Sequence, residues 1–323
     1  MKSSLYPLKF QPILKDKIWG GSKLNEYFNK ASESKILGES WEISTVPEAV
    51  SIVSNGALSG QSLQDLVNEH QSALLGEKNW ERFGKAFPLL IKFIDAKQDL
   101  SIQLHPNDEL AKKRHNSFGK TEMWYVMQAD EAANLIVGFN KKVDKEIYLK
   151  HLEEKRLTEI LNFDTVKEGD TYFIEAGRVH AIGAGVLLAE IQQTSDVTYR
   201  VYDWDRVDAN GKERELHNDI AIDAFDFNME DDYRVSYKKE KNVSNAMVTC
   251  PYFTTNFMII DSEIEKHNKW DSFLIYMCVD GAVEIITDST TIKISKGETI
   301  LIPATVKDFS LKSEYGKLLE VYV

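Results

Sequence analysis

At 323 residues, with 43% hydrophobic and 28% charged side chains, the chain has an ordinary globular composition and is longer than one hydrophobic core usually serves, so two domains are expected. The balance of 39 basic against 51 acidic residues, net −12 with a pI near 5.2, argues against nucleic acid or an anionic membrane as the main partner. An anionic ligand would need a local pocket of Lys and Arg, and two cysteines, Cys250 and Cys278, exclude a disulfide framework and a Cys-rich metal site.

Residues 1–10 hold no apolar core of signal-peptide length, and no apolar run is long enough to span a bilayer, so a cytoplasmic protein is expected. Helical periodicity comes first at 62–76, where Ser62 and Asp65 have capping-box spacing ahead of Leu66, Val67, Leu74 and Leu75. Runs rich in β-branched and aromatic residues then predict strands at 89–94, 100–104, 123–127 and 135–139. A second helical stretch, 145–161, precedes strands at 171–174, 186–191 and 198–202, and a third, 215–225, leads to the polar segment 228–244. That segment is the best boundary, dividing the chain into 1–235 and 236–323. Strand texture resumes at 254–260, 273–279, 283–286, 299–302 and 318–323, and both cysteines, set among apolar or aromatic neighbours, read as buried free thiols. Many short strands with few helices indicate a sandwich or barrel architecture.

The two halves share a weak repeat. Gly169, five residues, Glu175-Ala176-Gly177, two residues and His180 match Gly297, five residues, Pro303-Ala304-Thr305, two residues and Asp308. Glu122 precedes Asp130 by the eight positions that separate Ser272 from Asp280. In this frame the first copy carries Glu122 and His180 where the second carries Ser272 and Asp308.

Three segments of the first copy carry metal chemistry. On a strand, Gln103 and His105 are two apart and project from one face. Glu122 stands at a strand start, and His180 on a glycine-flanked turn. Two His, one Glu and one Gln suit Zn²⁺ or another borderline divalent ion, with a position left for water or substrate. Taken singly, each residue reads as ordinary: a hydrogen-bonded His, a solvated Glu. His70, His115, His151, His217 and His267 sit in polar or helical contexts and read as surface or structural. Downstream, the stretch from Ala189 to Arg206 is dense in ionisable groups, with Arg200 inside a strand-like run. That Arg is either bridged to Glu190 or Asp196, or aimed at a sugar phosphate or a charged intermediate.

With these motifs in place, the chain resembles the type I phosphomannose isomerases in their compact bacterial form. The resemblance rests on Ile18-Trp19-Gly20-Gly21, Gly38-Glu39-Ser40-Trp41-Glu42, Gln103-Leu104-His105-Pro106-Asn107-Asp108, Lys120-Thr121-Glu122-Met123-Trp124, Val179-His180-Ala181-Ile182 and the stretch from Gln193 to Arg206. It implies a mainly β protein of two cupin-type jelly-roll domains with a few helical additions, the second without a metal. It also implies one zinc per chain on Gln103, His105, Glu122 and His180, and interconversion of D-mannose 6-phosphate and D-fructose 6-phosphate through an enediol. Arg200 is implied as an active-site residue with Glu190 beside it, and Ser101 and Lys120 match positions linked to substrate or phosphate. The general base stays open among Glu190, Lys120 and a metal-bound hydroxide. The partner is a small-molecule sugar phosphate, and the protein is expected as a monomer or homodimer. Glu175 departs from the general cupin pattern, where Pro is common.

Three other readings compete. An Fe-dependent cupin oxygenase would also use two His and one carboxylate, but Gln103 and the Arg200 cluster separate this chain from that pattern. A metal-free sugar-binding protein has no need of the four ligand-type residues. A nucleotide site at Gly183-Ala184-Gly185 fails because Leu188 stands at the third glycine position and no helix signal follows.

Overall fold

The period-two alternation of antiparallel strands decides what lies inside this protein, seen in a computed structural model that describes residues 4–207 and 211–323. Residues 1–3, part of the 1–10 segment read above for a leader, lie outside the described residues, as do 208–210. A six-stranded sheet runs in the order Ile13–Gly21, Leu37–Ile43, Leu89–Ala96, Val186–Gln193, Glu122–Ala129, Thr171–Ile174. A five-stranded sheet runs Tyr199–Tyr202, Ile102–Leu104, His180–Ile182, Asn134–Phe139, Leu161–Thr165. Sequence-distant strands lie side by side in both, which is jelly-roll topology. Ile94, Trp124 and Leu188 from the first sheet meet Leu135, Val137 and Ile182 from the second in one buried layer. Lys92, Glu122 and Glu190 share the parity of Ile94, Trp124 and Leu188, so the same alternation turns them inward.

The C-terminal sheet has eight strands, with Leu274–Ile286 paired to Gly316–Tyr322, Asp308–Lys312, Thr291–Ser295 and Thr299–Ile302. Met258, Tyr276, Cys278, Ile300 and Leu318 fill it. The molecule is therefore mainly β, built of two cupin-type jelly rolls with helical additions. The two barrels are fused face to face. Phe93, Met123, Tyr125 and Leu187, on the outer face of the first, share one apolar cluster with Phe257, Phe273, Met277 and Leu319. Tyr125 stacks on Phe257 with ring centroids 5.9 Å apart.

Helix Leu63–His70 starts as the spacing predicts, with the Asp65 N–H donating to Ser62 Oγ at 3.1 Å. The predicted 62–76 helix is interrupted, because Gln71 takes φ 50° and a separate turn, Ser72–Leu75, follows. A further helix, Glu77–Phe83, then begins at Gly76, whose φ is +94°. A Cβ at Gly76 would lie 2.2 Å from the Asp271 carbonyl oxygen, so only glycine fits this crossing. The Asp271 carboxylate, from the C-terminal barrel, accepts the N–H groups of Glu77 and Lys78 at 2.8 and 2.9 Å.

Other expectations need adjustment. The 145–161 stretch is helical only over Lys145–Glu153, followed by a 3-10 turn Leu157–Ile160, and 215–225 only over Asn218–Ala221. The strands expected at 273–279 and 283–286 are one strand, Leu274–Ile286, because the irregularity between Cys278 and Asp280 shifts the ladder without ending it. Elements not anticipated include the strands Ile13–Gly21, Leu37–Ile43, Leu161–Thr165, Asn245–Thr249, Glu263–His267, Thr291–Ser295 and Asp308–Lys312 and the helices Lys23–Phe28 and Asp108–His115. His180, expected on a turn, opens the strand His180–Ile182. Cys278 is a buried free thiol, but Cys250 is only half-buried. The five histidines outside the candidate site include structural ones: His115 bonds Tyr199 Oη at 2.8 Å, and His267 bonds Asp308. No helix among the described residues is long and apolar enough to cross a membrane.

Strand pairing also shifts the repeat frame by two residues. Glu122 stands opposite Ile174 and Glu190 opposite Trp124 in the first barrel. Leu274 stands opposite Ile302 and Glu320 opposite Tyr276 in the second. The counterpart of Glu122 is therefore Leu274, not Ser272. The Gln103–His180 pair corresponds to His267 and Asp308, in register across their own ladder and largely exposed.

Candidate metal centre and active site

His105 and His180 enter the barrel from the five-stranded sheet, and Glu122 from the six-stranded sheet opposite. The ladder sets His180 beside Gln103. The ligand atoms of His105, Glu122 and His180 all lie within 4.8 Å of one another, and all three side chains are buried. His105 Nδ1–H donates to the Val197 carbonyl at 2.9 Å, and His180 Nδ1–H to the Arg178 carbonyl at 2.8 Å. Both rings are thereby fixed with Nε2 turned towards Glu122, at 3.5 Å in each case. Burial holds both imidazoles below their usual pKa, His180 down to about 4, so each presents a neutral nitrogen.

This cluster has a deficit that a cation would fill. His105 Nε2 and both Glu122 oxygens are buried without a hydrogen-bond partner of good geometry. Lys120 Nζ stands 3.1 Å from Glu122 Oε2. Burial, then repulsion from Glu190, pushes the Glu122 carboxyl above its usual range. Neutral imidazoles and a carboxylate short of partners are the donor set of a divalent transition metal. Gln103 borders the cluster, its amide nitrogen 3.4 Å from His180 Nε2 and its oxygen 3.4 Å from Ser101 Oγ. Turning that amide over would aim the oxygen at the cluster.

A cavity of about 330 Å³ opens over these residues. Ser101, Gln103, Lys120, His180, Glu190 and Arg200 line it, while His105 and Glu122 stand behind its wall. Lys17, Lys92 and Arg214 also line it, giving five cations with Lys120 and Arg200 against the three carboxylates Glu39, Glu190 and Asp196. In a chain of net charge −12 this is a local reversal of sign. Glu190 is buried. That burial favours protonation, but Lys92 at 3.2 Å, Lys120 and the Trp124 indole N–H at 2.9 Å prevail and hold its carboxyl well below the usual range. Arg200 makes no ion pair among the described residues, to Glu190, Asp196 or any other carboxylate. Its Nε donates to Ser101 Oγ at 3.2 Å and its Nη1 to the Glu215 carbonyl at 2.8 Å.

The phosphomannose isomerase type I catalytic-domain signature matches residues 7–133, and the mannose-6-phosphate isomerase cupin-domain signature matches residues 243–323. Mannose-6-phosphate isomerase ManA of Bacillus subtilis is 36% identical over 310 residues, 95% of this chain and 96% of that protein. The chain belongs to the type I phosphomannose isomerase family. The Streptococcus mutans mannose-6-phosphate isomerase is 33% identical over 309 residues, again 95% of this chain and 96% of the relative. The crystal structure of the Bacillus subtilis mannose 6-phosphate isomerase superposes with a TM-score of 0.89 at 33% identity, covering 99% of this chain and 100% of that one.

All eight residues that the phosphomannose isomerase resemblance singled out stand at this one cavity or directly behind it. Lys92 and Arg214 were not foreseen as cavity residues, and His217 was not foreseen as a support of the Arg200 backbone. Lys92 had a legible signal, since a lysine within the apolar run Leu89-Leu90-Ile91-Lys92-Phe93-Ile94 must turn into a polar interior. His217, whose Nδ1 accepts the Arg200 backbone N–H at 3.0 Å, sits in irregular chain where no periodicity marks it. The Gly183–Gly185 turn leads into a strand, not a helix, which removes the nucleotide-site reading.

Proposed function

We propose that the protein interconverts D-mannose 6-phosphate and D-fructose 6-phosphate through an enediol, with one Zn²⁺ per chain held by His105, Glu122, His180 and Gln103. The observation that carries this reading is the pairing of a buried His/Glu/His cluster with a cation-rich cavity in an acidic chain. Bound there, Zn²⁺ would supply Lewis-acid stabilisation of negative charge on the sugar oxygens. The side chains supply the rest. Arg200, free of any carboxylate among the described residues, offers its guanidinium to negative charge on the substrate. Ser101 orients both Gln103 and Arg200. Proton movement between C1 and C2 falls to Glu190 or Lys120, the two titratable groups on the wall beside His180. Lys92 and Trp124 fix the Glu190 carboxylate in place.

The catalytic unit is residues 1–235 and the second jelly roll 236–323, a division supported by the first strand of the C-terminal sheet at Asn245–Thr249. The enzyme works as a monomer or homodimer, in the cytoplasm where charged sugar phosphates are confined. The test is a coupled assay with mannose 6-phosphate before and after chelation, alongside elemental analysis of protein never exposed to chelator. Expected are one zinc per chain, loss of activity on chelation and return with Zn²⁺, and joint loss of metal and activity in His105→Ala and His180→Ala. Full activity in metal-free protein would overturn the assignment.

A further inference from the structure

Two cations on the cavity wall have no part in the proposed chemistry: Lys17, which is paired with Glu39 at 3.3 Å, and Arg214. Arg214 lies in the irregular segment after Tyr199–Tyr202, and its only ion-pair partner among the described residues is Asp203, at 3.5 Å. The same Asp203 Oδ1 is already bonded by Arg206, which is turned away from the cavity towards the Asp99 carbonyl. Among the described residues Arg214 therefore shares its one paired carboxylate with Arg206. Across the wall, Arg200 has no ion pair, and its Nη2 donates to nothing among the described residues. Arg214 is the charge that most depresses the Arg200 pKa after burial itself, so the two guanidiniums feel one another. Asp196 also lines this wall but pairs with neither.

Asp203 and Glu215 offset part of the repulsion between Arg200 and Arg214, but neither forms an ion pair with Arg200, so an anion seated between the two guanidiniums would relieve the rest. Backbone contacts keep them together: Glu215 offers its carbonyl to Arg200 Nη1, and His217 N–H donates to the Arg200 carbonyl at 2.7 Å. A row thus runs from the metal cluster through Gln103 and Ser101 to Arg200 and Arg214. We propose that Arg214 is a substrate-binding residue that grips the phosphate monoester at the Arg200 end of this row and so selects phosphorylated over neutral sugars. This rests on the isomerase reading for the identity of the sugar, not for the anion site itself.

The experiment uses the zinc-loaded full chain and compares wild type with Arg214→Gln and Arg214→Lys. Losing one charge-assisted bidentate contact raises the KM for mannose 6-phosphate by roughly tenfold to a hundredfold, with the loss falling on KM rather than kcat. The inhibition constant of inorganic phosphate rises in parallel, and Lys recovers part of both because it keeps the charge but not the fork. Inorganic phosphate raises the Tm of wild type more than that of Arg214→Gln, a readout that needs no turnover. If wild type fails to isomerise mannose 6-phosphate, the isomerase reading falls, while the difference in Tm shift still sustains the anion site. A KM, a phosphate inhibition constant and a phosphate-induced Tm shift all within about twofold of wild type in Arg214→Gln would overturn the proposal.

Discussion

Arg200 is tied to the protein by hydrogen bonds alone, and that separates its chemistry from its structural contribution. Its partners are the Ser101 hydroxyl, the Glu215 carbonyl and the His217 ring. Arg200→Ala leaves no buried carboxylate unpaired, so the variant is expected to fold and keep its metal while kcat/KM falls by ~10², as when one preorganised charge-stabilising donor is lost. Arg200→Lys restores only part, because an ammonium cannot reproduce the fork. Kinetics beside zinc content and thermal melting checks both; near-wild-type turnover in the Ala variant would remove Arg200 from the site. A second residue makes a pH prediction away from the metal. Asp95 is buried, and burial pushes its carboxyl up from 3.8 to about 6 against the opposing Lys23 N–H bond. The folded state then binds its proton more tightly than the unfolded state. This favours folding below pH 4, and the benefit is lost as the pH rises from about 4 to about 6. Asp95→Asn is expected to flatten that slope and to gain ~1–3 kcal/mol at neutral pH, read from urea midpoints across the range. Equal slopes in the two proteins would refute the assignment.

At the scale of elements, the helices after Ser62 depend on the other barrel. Helix Glu77–Phe83 has no side-chain cap of its own, and the Asp271 carboxylate fills that place from a distant part of the sequence. Asp271→Ala is expected to cost about 1 kcal/mol, the usual loss of an N-cap acceptor, measured as a lower denaturation midpoint with an unchanged m-value. This cap also shows where reading the chain stops short. Local rules reach Ser62 and its partner Asp65, three residues apart, but cannot reach an acceptor nearly two hundred residues away. The same limit explains the site. Gln103 and His105 were legible as a pair because strand parity puts them on one face, and Glu122 and His180 because the repeat frame sets them apart, although His180, expected on a turn, opens the strand His180–Ile182. Lys92 is set by parity too, but its role emerges only when its ladder places it beside Glu190. Arg214 and His217 lie in irregular chain, where no period gives a direction. The repeat frame slipped by two for a related reason: a two-residue shift preserves the inward face, so the alternation alone cannot detect it.

For the molecule as a whole, the shared apolar layer matters most. The outer face of the first barrel, with Phe93, Met123, Tyr125 and Leu187, is covered by Phe257, Phe273, Met277 and Leu319. Leu8 adds a backbone bridge to Leu301, so the N-terminal segment is also anchored on the C-terminal sheet. A fragment ending at residue 240 would expose that face to water, and it is expected to aggregate despite containing every proposed metal ligand. The intact chain is expected to melt in a single calorimetric transition. A soluble, monodisperse fragment with native-like melting would show that the layer is dispensable.

The matched ladders of the two barrels carry one more consequence. Lys92, Glu190 and Trp124 lie abreast on three neighbouring strands of the first barrel, and Asn256, Glu320 and Tyr276 lie abreast on the corresponding three of the second. In the second, Asn256 and Tyr276 both donate to Glu320, and Lys266 supplies the charge. A buried carboxylate gripped from both sides is thus common to both halves, whereas Leu274, His267 and Asp308 stand where Glu122, Gln103 and His180 stand in the first. The C-terminal half is a working blueprint of the same architecture with the reactive centre left out. The carboxylate grip belongs to the scaffold and the ligand set is an overlay on it, so the reactive centre can be stripped or exchanged while the barrel around it persists.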